Sequence, residues 1–218
     1  LHVRSRRQRQ MCIRDRGLNF RSQQGIIRSA HSLILGIPAV SMLAPASAAN
    51  EECIPVEVHE LTASTFMRLF STRYAAGDTI LILAANPDDY RLSEPFVNVV
   101  VEQDKLENPN NRRVRVRAAQ RSKGLEADTV IVLGDFVAAT STWAKNQIFR
   151  AARTIDTDDQ SPFDVISQNE LYKLANISIC RARSRAAWLI AKDPGDGVHR
   201  LKASSRIGNV QGSFIDYR

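Results

Sequence analysis

The sequence predicts an α/β domain built on a doubly wound, mostly parallel sheet with helices on both faces. The segments 78–85 (DTILILAA) and 129–133 (TVIVL) are apolar on both sides, which is typical of parallel strands covered by helices. Helical and strand patterns also alternate along the chain, as this architecture requires. The composition agrees, because 44% of the residues are hydrophobic but only 6% are aromatic, which suits an aliphatic core.

Strand patterns occur at five places. The segment 55–61 (PVEVHEL) alternates, with Val56 and Val58 on one face, as in a partly exposed strand. The other predicted strands are 78–85, Val114–Ala118 (VRVRA), 129–133 and 186–191 (AAWLIA). These elements place one domain over residues 17–192. Residues 193–218 support no assignment and are predicted to be a C-terminal tail.

Helical patterns occur at four places. In the first, one apolar stripe with the spacing of an amphipathic helix follows Ser22, which is predicted to cap the helix N-terminus; the stripe consists of Ile26, Ile27, Ala30, Leu33 and Ile34. Further helices are predicted at 64–74, 145–153 and 169–179. The Pro/Ala/Ser-rich stretch 38–50 and the polar segment 104–113 are predicted loops, and 86–89 (NPDD) a turn that ends the preceding strand.

The net charge of +7 is concentrated at the N-terminus. Residues 1–16 hold six arginines and one aspartate, a net of +5, so the other 202 residues carry only +2. The stretch RQMCIRDR resembles translated sequencing-adapter sequence at the broken end of a metagenomic fragment. We therefore interpret 1–16 as a non-native, disordered tail. An arginine-rich arm that binds nucleic acid is the alternative.

The cysteine content and hydropathy favour a cytoplasmic protein with no membrane contact. The three cysteines are odd in number and widely spaced, so they suit neither a disulfide framework nor a zinc site. Residues 28–49 have the outline of a secretory signal, with an apolar run that ends in small residues. That run is interrupted by Gly36, Pro38 and Pro45 and is too short to cross a bilayer. An exported protein is therefore the less favoured reading.

The segment 118–126 (AAQRSKGLE) is the first candidate site. It follows a predicted strand, and the carboxyl ends of parallel strands are where ligands bind in such sheets. Gly124 permits a positive φ or close backbone approach, and Glu126 could accept a hydrogen bond from a sugar hydroxyl. The side chains that could reach phosphate or backbone oxygens are Gln120, Ser122 and Lys123. An ordinary solvated turn is the alternative.

A second candidate is the arginine cluster that follows the helix predicted at 169–179, namely Arg181, Arg183 and Arg185. An arginine held where a helix ends against a sheet can neutralise charge on a transferring phosphoryl group, and such a residue contributes roughly 10³–10⁵ in rate. The alternative is that these arginines cap the helix C-terminus. Arg21, in the segment LNFRS, lies directly before the first predicted helix.

Three segments, taken in order, resemble motifs IV, V and VI of UvrD/Rep-like superfamily-one helicases: LNFRSQQGIIRSAHSLI, AAQRSKGLEADTVIVLG and NELYKLANISICRARSRAAWLI. Their order and spacing are similar to those of the second RecA-like domain of that family, over 17–192. The short spacer between ILILAANPDDY and the second segment is most similar to the helicase IV-like branch. The resemblance thus implies a RecA-like fold and an ATP-dependent DNA helicase.

The resemblance also implies residue roles. Arg21 and Arg181 would reach the terminal phosphate of ATP, and Gly124 with Glu126 would contact the nucleotide. Single-stranded DNA would be contacted by Gln120, Ser122 and Lys123. The phosphate-binding loop and the Mg²⁺ ligands would belong to a first, N-terminal RecA-like domain. The chain contains no G-x-x-x-x-G-K-[ST] motif, so we expect no metal ligands in it and no ATP hydrolysis by it alone.

The chain departs from the family pattern at several positions, including 175–177 (ANI), where the family has Y-V-A. Ala118 and Cys180 stand where the family has threonine, and Gln120 stands where it has histidine. These changes keep the phosphate arginines but affect positions that couple hydrolysis to DNA. A catalytically degenerate RecA-like module that binds nucleic acid is therefore the main alternative function.

Overall fold

The computed structural model describes residues 18–19, 22–37, 44–45, 56–137, 143–152, 162–192, 195, 197–199 and 201–207. Its helices are α1 (Gln24–Ile34), α2 (Ala63–Ala75), α3 (Pro87–Glu107), α4 (Trp143–Ala152) and α5 (Pro162–Ile179). Its strands are β1 (Leu18–Asn19), β2 (Ala44–Pro45), β3 (Glu57–Glu60), β4 (Ile80–Ala84), β5 (Val114–Ala118), β6 (Ala127–Leu133) and β7 (Ala182–Ile190).

Five strands form the main sheet, in the order β3-β7-β6-β4-β5. Every neighbouring pair in it is parallel. In the middle of the sheet, Ile82 of β4 lies between Val116 of β5 and Ile131 of β6. The two-residue strands β1 and β2 pair with each other and do not join this sheet. The sheet is thus wholly parallel where the sequence predicted a mostly parallel one.

Helices cover both faces of the sheet, which confirms the predicted α/β architecture. On one face, α1 and α5 pack on Leu81, Leu83, Val130, Val132 and Trp188. On the other face, α2 and α3 pack on Ile80, Ile82, Ile131, Leu133 and Leu189. Alternate residues of β4, β6 and β7 therefore enter opposite cores, and this is why these strands are apolar at successive positions.

The start of α1 differs from the prediction that Ser22 caps it. The residue before the helix is Gln23, whose side chain makes no capping hydrogen bond. The Ser22 hydroxyl instead donates to the carbonyl oxygen of Cys180, at 3.5 Å. In α2 the cap follows the usual rule, because Thr62 Oγ1 accepts from the backbone N–H of Thr65.

The helix α3 corrects two predictions. The segment 86–89, predicted as a turn, leads directly into α3, which begins at Pro87. The segment 104–113, predicted as a solvated loop, contains the last turn of α3 up to Glu107. Asp104 is only 1% exposed, and its carboxylate accepts hydrogen bonds from the backbone N–H groups of Arg113 and Val114 at the start of β5.

The arginine cluster is also placed differently. The last strand was predicted to begin at residue 186, but β7 begins at Ala182. Arg183 and Arg185 therefore lie on a strand, and only Arg181 lies at the end of α5. The helix itself is longer than predicted, because it begins at Pro162.

The chain beyond the predicted boundary at residue 192 belongs to the same core. Ala203 and Ile207 are buried with the α1 and α5 side chains, and residues Ser204–Ile207 form a 3₁₀ turn. The Asp135 carboxylate, at the end of β6, accepts hydrogen bonds from the backbone of Lys202 and Ser204 and from the Ser204 hydroxyl. Residues 201–207 are therefore a packed part of the domain.

Some predictions concern residues outside the described part of the chain, namely the tail 1–16, Arg21 and most of the loop 38–50. Among the described helices, none is both long and apolar enough to cross a membrane.

Candidate functional site

The predicted glycine turn is present between β5 and β6. The backbone N–H of Leu125 donates to the carbonyl oxygen of Ser122 at 3.0 Å, which closes a four-residue β-turn. Gly124, at the third position, has φ +85°, a value that a β-turn of type II requires there. An added Cβ would meet no atom within 4 Å. Glycine is therefore needed for its backbone conformation and not for space.

The segment 119–126 connects the carboxyl end of β5 to the amino end of β6, which lie at opposite ends of the strands. β5 ends at Ala118, in register with Ala84 of β4, whereas β6 begins at Ala127, beside Ala182. Since β5 and β6 both run parallel to β4, the connection must run back along the full length of the strands. Gln120 thus lies just after the carboxyl end of β5, as predicted. Glu126 lies at the amino edge, which corrects the prediction that the whole segment lies at the carboxyl edge.

Arg181 lies directly beside the end of this segment. Its carbonyl oxygen accepts a hydrogen bond from the backbone N–H of Ala127, at 3.2 Å. Its Nε donates to the carbonyl oxygen of Ile177, at 3.0 Å, in the last turn of α5. The structure therefore brings Arg181 and Glu126 together, and the Arg181 guanidinium also caps its own helix, as the alternative reading of the cluster predicted.

The two residues directly before α1 also lie beside Arg181. The backbone N–H of Gln23 donates to the carbonyl oxygen of Arg183 at 3.0 Å, and Ser22 contacts Cys180 through its hydroxyl. Ser22 and Gln23, which follow Arg21 in sequence, thus contact Cys180 and Arg183, which lie one residue before and two residues after Arg181. Arg21 itself lies outside the described residues.

Arg183 links the two acidic residues that begin β6. Its Nη2 lies 3.2 Å from Glu126 Oε2, and its Nη1 lies 3.7 Å from Asp128 Oδ1. Asp128 Oδ2 also accepts hydrogen bonds from the backbone N–H and the hydroxyl of Thr79. These two donors are the main reason that the pKa of Asp128 lies below its ordinary value, with a smaller contribution from Arg183. This network was not predicted from the sequence, although the alternation ARSRAA indicates a strand with arginines on one face.

Arg185 forms a separate pair with Glu57, at 3.9 Å, on the neighbouring strand β3. A hydrogen bond from His59 and the nearby charge of Arg185 lower the pKa of Glu57, although burial opposes them. The three arginines of the predicted cluster therefore differ: Arg181 caps a helix, and Arg183 and Arg185 pair with carboxylates on the amino half of the sheet.

The three residues predicted to contact nucleic acid differ in exposure. Gln120 and Lys123 are exposed. Ser122 is fully buried, and its hydroxyl has no hydrogen-bond partner among the described residues. This differs from the prediction that Ser122 contacts nucleic acid, because a fully buried hydroxyl cannot touch a strand that lies on the surface. Among all the residues that the structure describes, no group of three or more His, Cys, Asp or Glu side chains is arranged to hold a metal ion.

No protein-family model and no curated protein matches this chain. Among solved structures, it is similar to the C-terminal domain of a possible DNA helicase from Lactobacillus plantarum WCFS1, with a TM-score of 0.48 and 15% sequence identity. The match covers 89% of this chain and 97% of the other.

Proposed function

We propose that the chain is the second RecA-like domain of an ATP-dependent DNA helicase or translocase of the UvrD/Rep type. The observation that supports this most is the meeting of three segments that are distant in sequence. Gln23 donates to Arg183, and Ala127 donates to Arg181, so the segments that resemble motifs IV, V and VI converge at one edge of the sheet.

In this proposal, Arg181 and Arg21 neutralise the terminal phosphate of ATP. A guanidinium keeps its charge at every physiological pH and presents several N–H donors to phosphate oxygens. The Nε of Arg181 donates to the carbonyl oxygen of Ile177 at the end of α5, which holds the side chain at this end of the helix. The phosphate-binding loop and Mg²⁺ would be supplied by a first RecA-like domain, N-terminal to this one in the longer protein.

Glu126 and Gly124 would contact the nucleotide from the same edge. A carboxylate has about four acceptor positions, so Glu126 can keep its contact with Arg183 and still accept a hydrogen bond from a ribose hydroxyl. Gly124 is exposed and carries no side chain, so a ligand could approach the backbone of the turn at this residue.

Gln120 and Lys123 would contact single-stranded DNA through its backbone. Such contacts are largely electrostatic, so binding weakens as salt rises. A cytoplasmic location is part of the proposal, because the odd number and wide spacing of the cysteines suit a reducing compartment.

DNA binding by the purified chain tests the second part of the proposal. We expect anisotropy of a labelled single-stranded oligonucleotide to show binding that Lys123→Ala weakens, with the salt slope reduced by about one. Lys105→Ala, on α3, is the matched control and leaves binding unchanged. Because the segment 1–16 carries a net charge of +5, which attracts DNA phosphates, both variants are compared in chains with and without it. Equal effects of the two substitutions would contradict the proposal.

ATP hydrolysis tests the first part. We expect none from the 218-residue chain, because half a nucleotide cleft cannot position the attacking water. In a longer protein that includes the first RecA-like domain, Arg181→Ala should lower kcat by roughly 10³–10⁵-fold. Arg185→Ala, whose arginine pairs with Glu57, is the control. ATP hydrolysis by the isolated chain would contradict its assignment as the second RecA-like domain.

A catalytically degenerate module that binds nucleic acid is the second candidate function. It is favoured by Ala118 and Cys180, which replace the threonines of the family pattern, and by the capping contact of Arg181. In that case DNA binding would depend on Lys123 as above, but the longer protein would hydrolyse no ATP, with or without Arg181→Ala.

A further inference from the structure

The stretch 108–125 carries a local excess of positive charge. It contains no carboxylate and six cations, namely Arg112, Arg113, Arg115, Arg117, Arg121 and Lys123. Because residues 17–218 as a whole have a net charge of only +2, the rest of that range carries −4. The positive charge beyond the N-terminal tail is therefore concentrated on β5 and on the connection that follows it.

The exposed arginines of β5 lie on the same face of the sheet as this connection. Arg115 and Arg117 are in register with two residues of β4 that belong to the core under α1 and α5, namely Leu81 and Leu83. Ala119 and Leu125, near the two ends of the connection, pack on that same core. The cations of the strand and those of the connection thus share one face.

We call the four exposed cations of this face the basic surface; they are Arg115, Arg117, Arg121 and Lys123. Within the described part of the chain, no carboxylate forms an ion pair with any of them. Arg183, in contrast, lies between Glu126 and Asp128. Exposed cations without nearby carboxylates create a positive potential that attracts an anionic partner.

The backbone of β5, an edge strand of the sheet, is not open to an added peptide strand. The carbonyl oxygen of Arg113 accepts a hydrogen bond from β4, so the backbone groups of Val114 and Val116 point away from β4. The N–H of Val114 donates to the Asp104 carboxylate at 3.0 Å, and the carbonyl oxygen of Val116 accepts from Arg117 Nη1 at 2.8 Å. Since these outward groups are already bonded, a partner would meet the side chains of the basic surface instead.

The composition of the basic surface favours a nucleic-acid duplex. Three of its four cations are arginines, whose planar guanidinium matches the geometry of phosphate oxygens. The stretch 108–125 contains no aromatic residue, whereas proteins that bind single strands stack the bases on aromatic side chains. A duplex keeps its bases stacked on one another and presents its phosphates outwards, so it needs no such side chains.

We propose that the basic surface binds the phosphate backbone of duplex DNA. The residues of a strand rise about 3.3 Å each, so the Cα atoms of Arg115 and Arg117 are about 6.6 Å apart and their guanidinium groups can reach different phosphates. Such contacts carry no information on base sequence. This goes beyond the single-strand contacts proposed for Gln120 and Lys123, and only the choice of DNA over RNA rests on the proposed function.

Replacing both arginines of β5 tests the proposal. In the 218-residue chain, Arg115→Gln with Arg117→Gln should weaken binding of a short labelled duplex at least about tenfold at about 0.1 M salt, measured by anisotropy. The slope of log affinity against log salt should fall by about two, because two phosphate contacts are lost. The N-terminal tail is the same in both chains and does not affect this difference.

Arg68→Gln with Arg91→Gln is the matched control. These two exposed arginines lie on α2 and α3, which cover the opposite face of the sheet, and their replacement removes the same charge. It should change duplex affinity by less than about twofold, because charges far from the contact are screened by salt. Equal losses in the two variants would overturn the proposal, since net charge alone would then explain binding.

A conservative variant separates loss of charge from loss of fold. Arg115→Lys with Arg117→Lys keeps both charges, so it should retain the salt slope of the parent chain while binding somewhat more weakly, because lysine lacks the planar fork. Circular dichroism should show the same folded signal for every variant. A lysine variant whose salt slope falls as far as that of the glutamine variant would contradict a role for the two charges.

Three further probes test the nature of the partner. The glutamine variant should lose more affinity for the duplex than for a single strand of the same length; an equal or larger loss on the single strand would overturn the choice of a duplex. Polyglutamate that binds the parent chain as tightly as the duplex, with the same loss, would indicate an acidic protein instead. An RNA duplex that binds more tightly than the DNA duplex would overturn the choice of DNA. None of these measurements uses ATP or a substitution of Lys123, so this proposal and the proposed function can fail separately.

Discussion

At the scale of single residues, Asp104 shows how a buried charge is satisfied in this fold. Its carboxylate accepts hydrogen bonds from Tyr74 Oη (3.0 Å), Asn108 Nδ2 (3.0 Å) and the backbone N–H groups of Arg113 (3.1 Å) and Val114 (3.0 Å). The same residue therefore holds together α2, the end of α3 and the start of β5. Burial, together with hydrogen bonds to nearby carboxylates, raises the pKa of Tyr74 well above its ordinary value.

Asp104→Ala should lower the free energy of unfolding by more than about 3 kcal/mol, because each buried donor left without a partner costs about 1–3 kcal/mol. Glu102→Ala, at an exposed position of the same helix, should change it by less than about 0.5 kcal/mol. Urea unfolding measures both. A cost for Asp104→Ala as small as that of the control would mean that water replaces the lost carboxylate.

Asp128 should make stability depend on acidity. Its pKa lies below the ordinary 3.8, chiefly because Thr79 donates two hydrogen bonds to the ionised form. The folded-state pKa is the lower one, so the contribution is present above about pH 4 and is lost as pH falls through the folded value. Urea unfolding at about pH 7 and about pH 3 should therefore show a smaller acid loss for Asp128→Asn than for the parent chain. An equal loss in both would assign the acid sensitivity to other carboxyl groups.

At the scale of elements, the turn at Gly124 limits what the β5–β6 connection can accept. Gly124→Ala should lower the free energy of unfolding by about 1–2 kcal/mol, because a Cβ is disfavoured at φ +85°. Gly124→Asn should cost less, since asparagine tolerates this region. Lys123→Ala, in the same turn, is the control and should be close to neutral. Thermal unfolding followed by circular dichroism compares the three variants.

The strands could be predicted because their patterns are local. β5 was predicted at its observed bounds, and β4 and β6 within a few residues, since buried parallel strands are short apolar runs between turns. The helix α3 could not be predicted in the same way. Pro95 lies inside α3, and a proline usually indicates the end of a helix. The apolar residues of α3 also occupy two faces, so they do not form the single stripe by which an amphipathic helix is recognised.

Part of the candidate site could also be predicted. The nearness of Arg181 to the end of the segment 118–126 follows from the order of the motifs, and the structure places them in contact through Ala127. The burial of Ser122 and the pairing of Arg183 with Glu126 could not be predicted, because both depend on how the connection crosses the sheet. That path is set by strand order, which no local pattern contains.

At the scale of the whole molecule, the Asp135 carboxylate connects residues 201–207 to the end of β6 through hydrogen bonds. Phe136, Lys202 and Ser204 all donate hydrogen bonds to it. Burial raises the pKa of Asp135, although these donors oppose the shift. The Arg206 guanidinium adds a second attachment, because it donates to the carbonyl oxygen of Leu33 and lies 3.9 Å from the centre of the Tyr172 ring.

A chain that ends at Lys192 should therefore be less stable by at least about 3 kcal/mol. It loses the buried side chain of Ile207, worth about 1.5–3 kcal/mol, and leaves Asp135 without three of its donors. A chain that ends at Gly208 keeps every one of these contacts and serves as the control in the same urea titration. If both truncated chains unfold at the same urea concentration, these contacts do not stabilise the domain.

The position of β7 has a consequence for the order in which the fold can be completed. β3 pairs only with β7 within the described sheet, joining Glu57 to Ala187, whereas β4 can pair with β5 and β6 earlier. During synthesis, β3 therefore stays unpaired until Ala182–Ile190 has emerged from the ribosome. A nascent chain that stops before Ala182 leaves Val56 and Val58 without the strand that aligns them, and such a product is exposed to aggregation until it is degraded.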